Sequence, residues 1–148
     1  MLKPVYHDLE KAGDPRTALE VLAAHLPALT TPGFVFGIAT PARPIGEGLI
    51  ETGYFSPSPE ATAFIADVYA YGWVRDFDWM KWSHTPKGHR MLHDPAALET
   101  ANEDDLARVL TVCMREAHWG AEALYDRFCD GVLARVMRRA AALLDLRN

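Results

Sequence analysis

Apolar residues recur at helical spacing in several stretches of the chain and alternate in one, which predicts helices plus a small strand region. The first helix opens at Asp14-Pro15, where the aspartate is placed to accept bonds from free N–H groups and the proline loses nothing at a first-turn position. Leu19, Leu22, Ala23 and Leu26 then mark one apolar face, and Pro27 followed by Pro32-Gly33 ends it. In GFVFGIAT, Phe34, Phe36 and Ile38 alternate with smaller residues, as in a half-buried strand; LIETGYF is a second strand, and PARPIGEG between them reads as a loop. Ser58-Pro59-Glu60 starts another helix, with Ala61, Phe64, Ile65 and Val68 as its stripe and Gly72 as terminator. Asp94-Pro95 begins a short helix. Asn102, with Asp105 three residues on, marks a capped start for the stripe Leu106, Val109, Leu110, Cys113 and Ala117. Gly120 and Gly131 separate the last helices, and Leu133, Val136, Met137, Ala140 and Leu144 line the final one. The pattern predicts an α+β fold: a mostly helical single domain over residues 1–148 with at most a small antiparallel β-hairpin. Leu106, Leu110, Cys113, Val136 and Met137 are expected to be buried together.

Composition narrows the class. An apolar share of 49% and a charged share of 24% in 148 residues are those of a globular chain able to bury one core. Fifteen basic against twenty acidic residues give a net charge of -5, which argues against direct nucleic-acid binding through a clustered positive surface. The first residues, MLKPVYHDLEKAGD, hold no apolar stretch long enough for a signal peptide, and no run approaches a membrane span. Cys113 and Cys129 fall inside helical patterns and read as small buried hydrophobes in a reducing compartment, so the expected location is cytoplasmic.

Candidate chemistry is sparse, for the chain holds no glycine-rich phosphate loop, paired CxxC, HExxH or nucleophile-elbow serine. His89 and His93 have a four-residue spacing suited to a metal, with His84, Asp94 and His118 as further donors. Lys87-Gly88 and Asp94-Pro95 argue against a helix running through the pair, so the expectation is no metal and no cofactor. Arg115, Glu116 and His118 form a second constellation, in which a carboxylate beside an imidazole favours base chemistry, although residues two apart on a helix face different ways. Trp73, Phe77, Trp79 and Trp82 cluster within ten positions; Trp79 is expected in the core, and Trp82 is a candidate anchor for a partner. Glu99, Glu103, Asp104 and Asp105 concentrate negative charge around a helix start, where it favours the dipole and offers an acidic face.

The order FDWMKW, a capped acidic segment, then VLTVCMREAHW and GVLARVMRRAAAL resembles a prokaryotic family, domain of unknown function 6508. Trp79 and Trp82 match its aromatic turn, Arg115 its arginine-bearing helix, Gly131 its glycine, and Arg138-Arg139 its terminal basic pair. His118-Trp119 stands where that pattern has arginine followed by phenylalanine, and Glu122 stands near an expected glycine. The resemblance runs from Phe55 to the C-terminus and implies a compact helical protein without handing over an activity.

Taken together, these features predict a non-enzymatic protein-interaction module. Glu99, Glu103, Asp104, Asp105 and Trp82 would meet a larger protein, or a protein–nucleic-acid complex, with a basic surface. One form of this is an inhibitor from a phage or other mobile element, such as an anti-CRISPR protein, whose acidic face blocks a nucleic-acid channel. The alternatives are a small enzyme with a His/Glu/Arg cleft and a histidine-based metal-binding protein.

Overall fold

The computed structural model describes residues 14–119 and 122–147. The expectation of no signal peptide in the first residues falls on residues 1–13, and that of a break at Gly120 on residues 120–121; both lie outside the described residues. In chain order the elements are α1 (Pro15–Ala24), α2 (Leu26–Leu29), β1 (Gly37–Thr40), β2 (Arg43–Gly46), β3 (Leu49–Glu51), β4 (Tyr54–Pro57), α3 (Pro59–Ala70), α4 (Trp79–Ser83), α5 (Pro86–His93), a 3-10 turn (Ala97–Thr100), α6 (Glu103–Ala117), α7 (Ala123–Cys129) and α8 (Val132–Arg147). The fold is α+β and mostly helical.

The helix starts show how local chemistry sets these boundaries. Ser58 Oγ accepts the Ala61 N–H at 3.2 Å, ahead of the first-turn Pro59 and Glu60 of α3. Asn102 and Asp105 cap α6 reciprocally: Asn102 Oδ1 accepts the Asp105 N–H at 2.8 Å, and Asp105 Oδ2 accepts the Asn102 N–H at 3.1 Å. Asp14 departs from expectation. Its carboxylate accepts the Thr17 hydroxyl instead of a backbone N–H, which leaves Pro15 to define the start of α1. Gly72 and Gly131 take the left-handed backbone, φ +79° and +88°, that closes α3 and turns the chain from α7 into α8.

The core lies where α6 and α8 meet α1 and α3. Leu106, Leu110, Cys113, Val136 and Met137 are all fully buried, together with Leu19, Leu22, Phe64 and Val68. Helix α1 packs along α8, so the first described helix lies against the last. His25 Nε2 lies 2.7 Å from Asp67 Oδ2 and ties the α1–α2 junction to α3. Among the described residues, no helix is long and apolar enough to cross a membrane.

The strand region differs from the expected pair of strands around a loop. β1 pairs antiparallel with β4 (Ile38 opposite Ser56, Thr40 opposite Tyr54), and β2 pairs antiparallel with β3 (Arg43 opposite Glu51, Pro44 opposite Ile50). Thus Arg43–Gly46, inside the segment read as a loop, is a strand. Its proline and glycine are tolerated because the ladder there is short and bulged at residue 45. Phe36 precedes β1 and anchors the base of this ribbon, stacking on Phe128 of α7 at 4.7 Å and on Phe55 at 6.1 Å between ring centroids.

Candidate functional site

The acidic residues at the start of α6 fall into different environments. Glu103 is held by Arg147 from the end of α8, and Asp104 Oδ1 lies 3.4 Å from Arg75 Nη1. Asp105 is only 4% exposed. Besides capping the helix, it sets Oδ1 3.0 Å from Lys87 Nζ, in a small polar recess it shares with Lys87 and Arg90. The expectation of one exposed acidic run is therefore corrected at Asp105, which is an interior cap; Glu103 and Asp104 meet cations of the same chain, Asp104 staying exposed. Glu99 is exposed and makes no ion pair with a described residue.

The histidine pair is corrected in the other direction. Helix α5 runs through both His89 and His93, and their rings stand 4.4 Å apart. Gly88 does not interrupt it, because a side chain there would run into the Trp82 carbonyl where α5 crosses the end of α4. The glycine is required by that crossing. Among the described residues, no group of three or more histidine, cysteine or carboxylate side chains is gathered to hold a metal.

At the opposite end of α6 a cavity of about 440 Å³ opens between α4 and α7. Trp79 from α4 and Trp119, just beyond α6, form its aromatic wall, with ring centroids 5.8 Å apart at 68°, edge to face. Trp119 is 75% exposed, an unusual state for the largest apolar side chain. Glu116 lines the cavity and is gripped by Arg127 of α7 through two bonds: Nε donates to Oε1 at 3.0 Å and Nη2 to Oε2 at 2.9 Å. Those bonds hold the Arg127 guanidinium above its usual pKa. Asp130 Oδ1 is occupied by the Val132 N–H at 3.0 Å, which starts α8. Asp126 lines the same cavity and makes no ion pair with a described residue. The lining thus sets three carboxylates against one guanidinium and leaves Asp126 uncompensated beside two indoles.

Ser83 and His84 also reach this cavity, and their bonding excludes a nucleophile–base pair in this arrangement. His84 Nδ1 lies 2.8 Å from the Met80 carbonyl, and a carbonyl only accepts, so Nδ1 carries the proton. Ser83 Oγ donates to the same carbonyl at 2.7 Å. With Nδ1 protonated, the imidazole cannot take the Ser83 proton across their 3.4 Å approach; the hydroxyl can only accept there. The Arg115–Glu116–His118 constellation is replaced as well. Glu116 is bound by Arg127, and His118 is the exposed C-terminal cap of α6, outside the cavity lining.

Trp79 is half-buried against the core, and Trp82 is half-buried with its ring edge to face on Phe77 at 6.2 Å. Cys113 is buried, whereas Cys129, expected to be buried, is exposed. Sequence reasoning missed Asp126, Arg127 and Asp130 as a group. Their signal was the 126/130 spacing, which puts two carboxylates on one side of α7 with Arg127 next to them.

Compared with family models, residues 15–145 match a family of unknown function, DUF6508, well beyond the Phe55 boundary of the motif resemblance. No curated protein and no solved structure matches the chain.

Proposed function

We propose a role for a chain that belongs to the DUF6508 family: a non-enzymatic interaction module that receives a basic side chain of a larger protein partner in the cleft between α4 and α7. The observation that carries this reading is the exposed Trp119 indole, standing edge to face on Trp79 beside the uncompensated carboxylate of Asp126. A lysine or arginine side chain satisfies both features at once, because its cation meets the negative face of an indole and a carboxylate together. Such cation–π contacts contribute about 0.5–2 kcal/mol, the larger values when water is excluded. The surplus of acid over base across the chain favours approach of a basic surface by the same sign. An inhibitor that covers the basic nucleic-acid channel of a larger enzyme is one form this module takes. In that form, nucleic acid competes for the partner without binding the protein itself.

The test is calorimetric titration with a short arginine- and lysine-bearing peptide and with its neutral, acetylated or citrulline counterpart. The charged peptide is expected to bind, and Trp119→Ala and Asp126→Asn each to weaken it about tenfold, the equivalent of one lost contact of about 1.4 kcal/mol. Equal binding of the charged and neutral peptides, or of the wild type and both variants, overturns the reading.

A further inference from the structure

The sequence argues against a metal at His89 and His93 through the helix break it predicts there, and α5 has no such break. Both histidines are exposed on successive turns of this one helix, with ring centroids 4.4 Å apart and the rings inclined at 42°. Residues four apart share a helix face, so the backbone itself sets the two rings side by side. Apart from each other, neither ring has a hydrogen bond, ion pair or ring contact with a described residue. Their nitrogens thus lack a partner among those residues.

The backbone beneath the pair is fixed. Thr85 Oγ1 accepts the Gly88 N–H at 3.0 Å ahead of the first-turn Pro86, Gly88 lies against the Trp82 carbonyl, and Met91 and Leu92 are buried. Just after His93, Asp94 Oδ1 accepts the Ala96 N–H at 3.0 Å. The two basic side chains of α5, Lys87 and Arg90, line the recess around Asp105, and Lys87 is paired there. Packing and capping already order the helix, so a ligand that joins the rings has only their side-chain freedom to restrict.

We propose that His89 and His93 chelate one divalent ion of the zinc, nickel or copper class, with water in its remaining positions. Neutral imidazole suits these ions, whereas magnesium and calcium take oxygen ligands. Metal–nitrogen bonds of about 2.0–2.1 Å, in tetrahedral or square geometry, hold two donor nitrogens about 3 Å apart. The nitrogens lie on the ring edges, so rings with centres 4.4 Å apart reach that spacing by turning about their side-chain bonds, with the helix unchanged. Two imidazoles plus water make a weaker site than the closed four-ligand shell of structural zinc. The ion is accordingly exchangeable, held at micromolar affinity, and the fold does not depend on it.

The experiment is calorimetric titration of the full chain with Ni²⁺ and, separately, Zn²⁺ in a non-coordinating buffer, with Mg²⁺ as the contrast. The wild type is expected to bind one Ni²⁺ or Zn²⁺ per chain and no Mg²⁺. His89→Ala and, separately, His93→Ala should each weaken that affinity at least about tenfold with an unchanged circular-dichroism spectrum, and His118→Ala should leave it within about twofold. The size of the loss separates a chelate from two solitary imidazoles. Independent rings would give two weak sites, and each substitution would remove one and leave the affinity of the other as it was. That result overturns the proposal. A wild type that binds neither ion overturns it as well, as does a site that survives both single substitutions.

Discussion

The two ends of α6 carry similar side chains and put them to opposite uses. At its start, Asp105, Glu103 and Asp104 meet Lys87, Arg147 and Arg75, so the charges hold α5, α8 and the chain after α3 against one helix terminus. At its end, the Glu116–Arg127 pair fastens α7, but Asp126 and the Trp119 indole remain uncovered beside it. Clustered charge in a sequence therefore does not separate carboxylates paired within the fold from those left unpaired. What separates the two ends is how many of the local carboxylates find a cation in their own chain. The matched end works as structure, and the unmatched end is left facing solvent.

The comparison breaks most sharply at Asp105. Replacing it with alanine removes the cap and leaves Lys87 beside a recess without its counter-charge. The expected loss is about 2–4 kcal/mol in urea unfolding, combining cap and ion-pair contributions. Cation-peptide binding at the far end should stay within about twofold, because distant sites are nearly additive. A weakened peptide affinity with little loss of stability would reverse the roles assigned to the two ends.

Arg127→Met tests the other end. Glu116 would remain partly buried without its two charge-assisted donors, at an expected cost of about 1–3 kcal/mol. The cost should exceed that of Asp126→Asn, which removes no internal bond and should fall within about 0.5 kcal/mol of the wild type. Thermal unfolding of the two variants side by side gives the ranking, and equal losses would mean that Asp126 has a partner inside the fold.

The smallest effect sits between the two ends and vanishes at neutral pH. Full burial pushes the Cys113 thiol from 9.0 up to about 12. Below pH 9.0 the thiol is neutral in folded and unfolded chains alike, and its contribution to stability is complete. As pH rises from 9.0 towards about 12, only the unfolded thiol ionises, and that contribution is lost. Cys113→Ala should flatten this alkaline decline in unfolding free energy. In the native protein, an alkylating reagent should modify exposed Cys129 and spare Cys113 until the chain unfolds, as counted by mass spectrometry.

Much of the helical framework was legible because its signals are local. Ser58-Pro59, the Asn102/Asp105 box, Gly72 and Gly131 each act within a turn, and the stripe through Leu106, Leu110, Cys113, Val136 and Met137 follows the helical repeat into the core. The misreadings arose where a distant contact overrode a local preference. Gly88 looks like a helix breaker until the Trp82 carbonyl beside it is known. Pro44 and Gly46 look like loop residues until β3 lies opposite them. The cleft was the least legible, since the Glu116–Arg127 pair spans eleven residues and two helices, and Trp79 meets Trp119 across forty positions of sequence.

The packing of α1 along α8 has a consequence for synthesis. Most of the cover of Leu19 and Leu22 comes from Val132–Arg147, more than a hundred residues after α1 leaves the ribosome, and α3 supplies only a smaller part earlier. Until then α1 is an amphipathic helix with only α2 and α3 to lean on, too short at ten residues to persist in water alone. The core thus closes in one late, long-range event, and a nascent chain stalled before α8 presents the sticky face of α1 to chaperones and proteases.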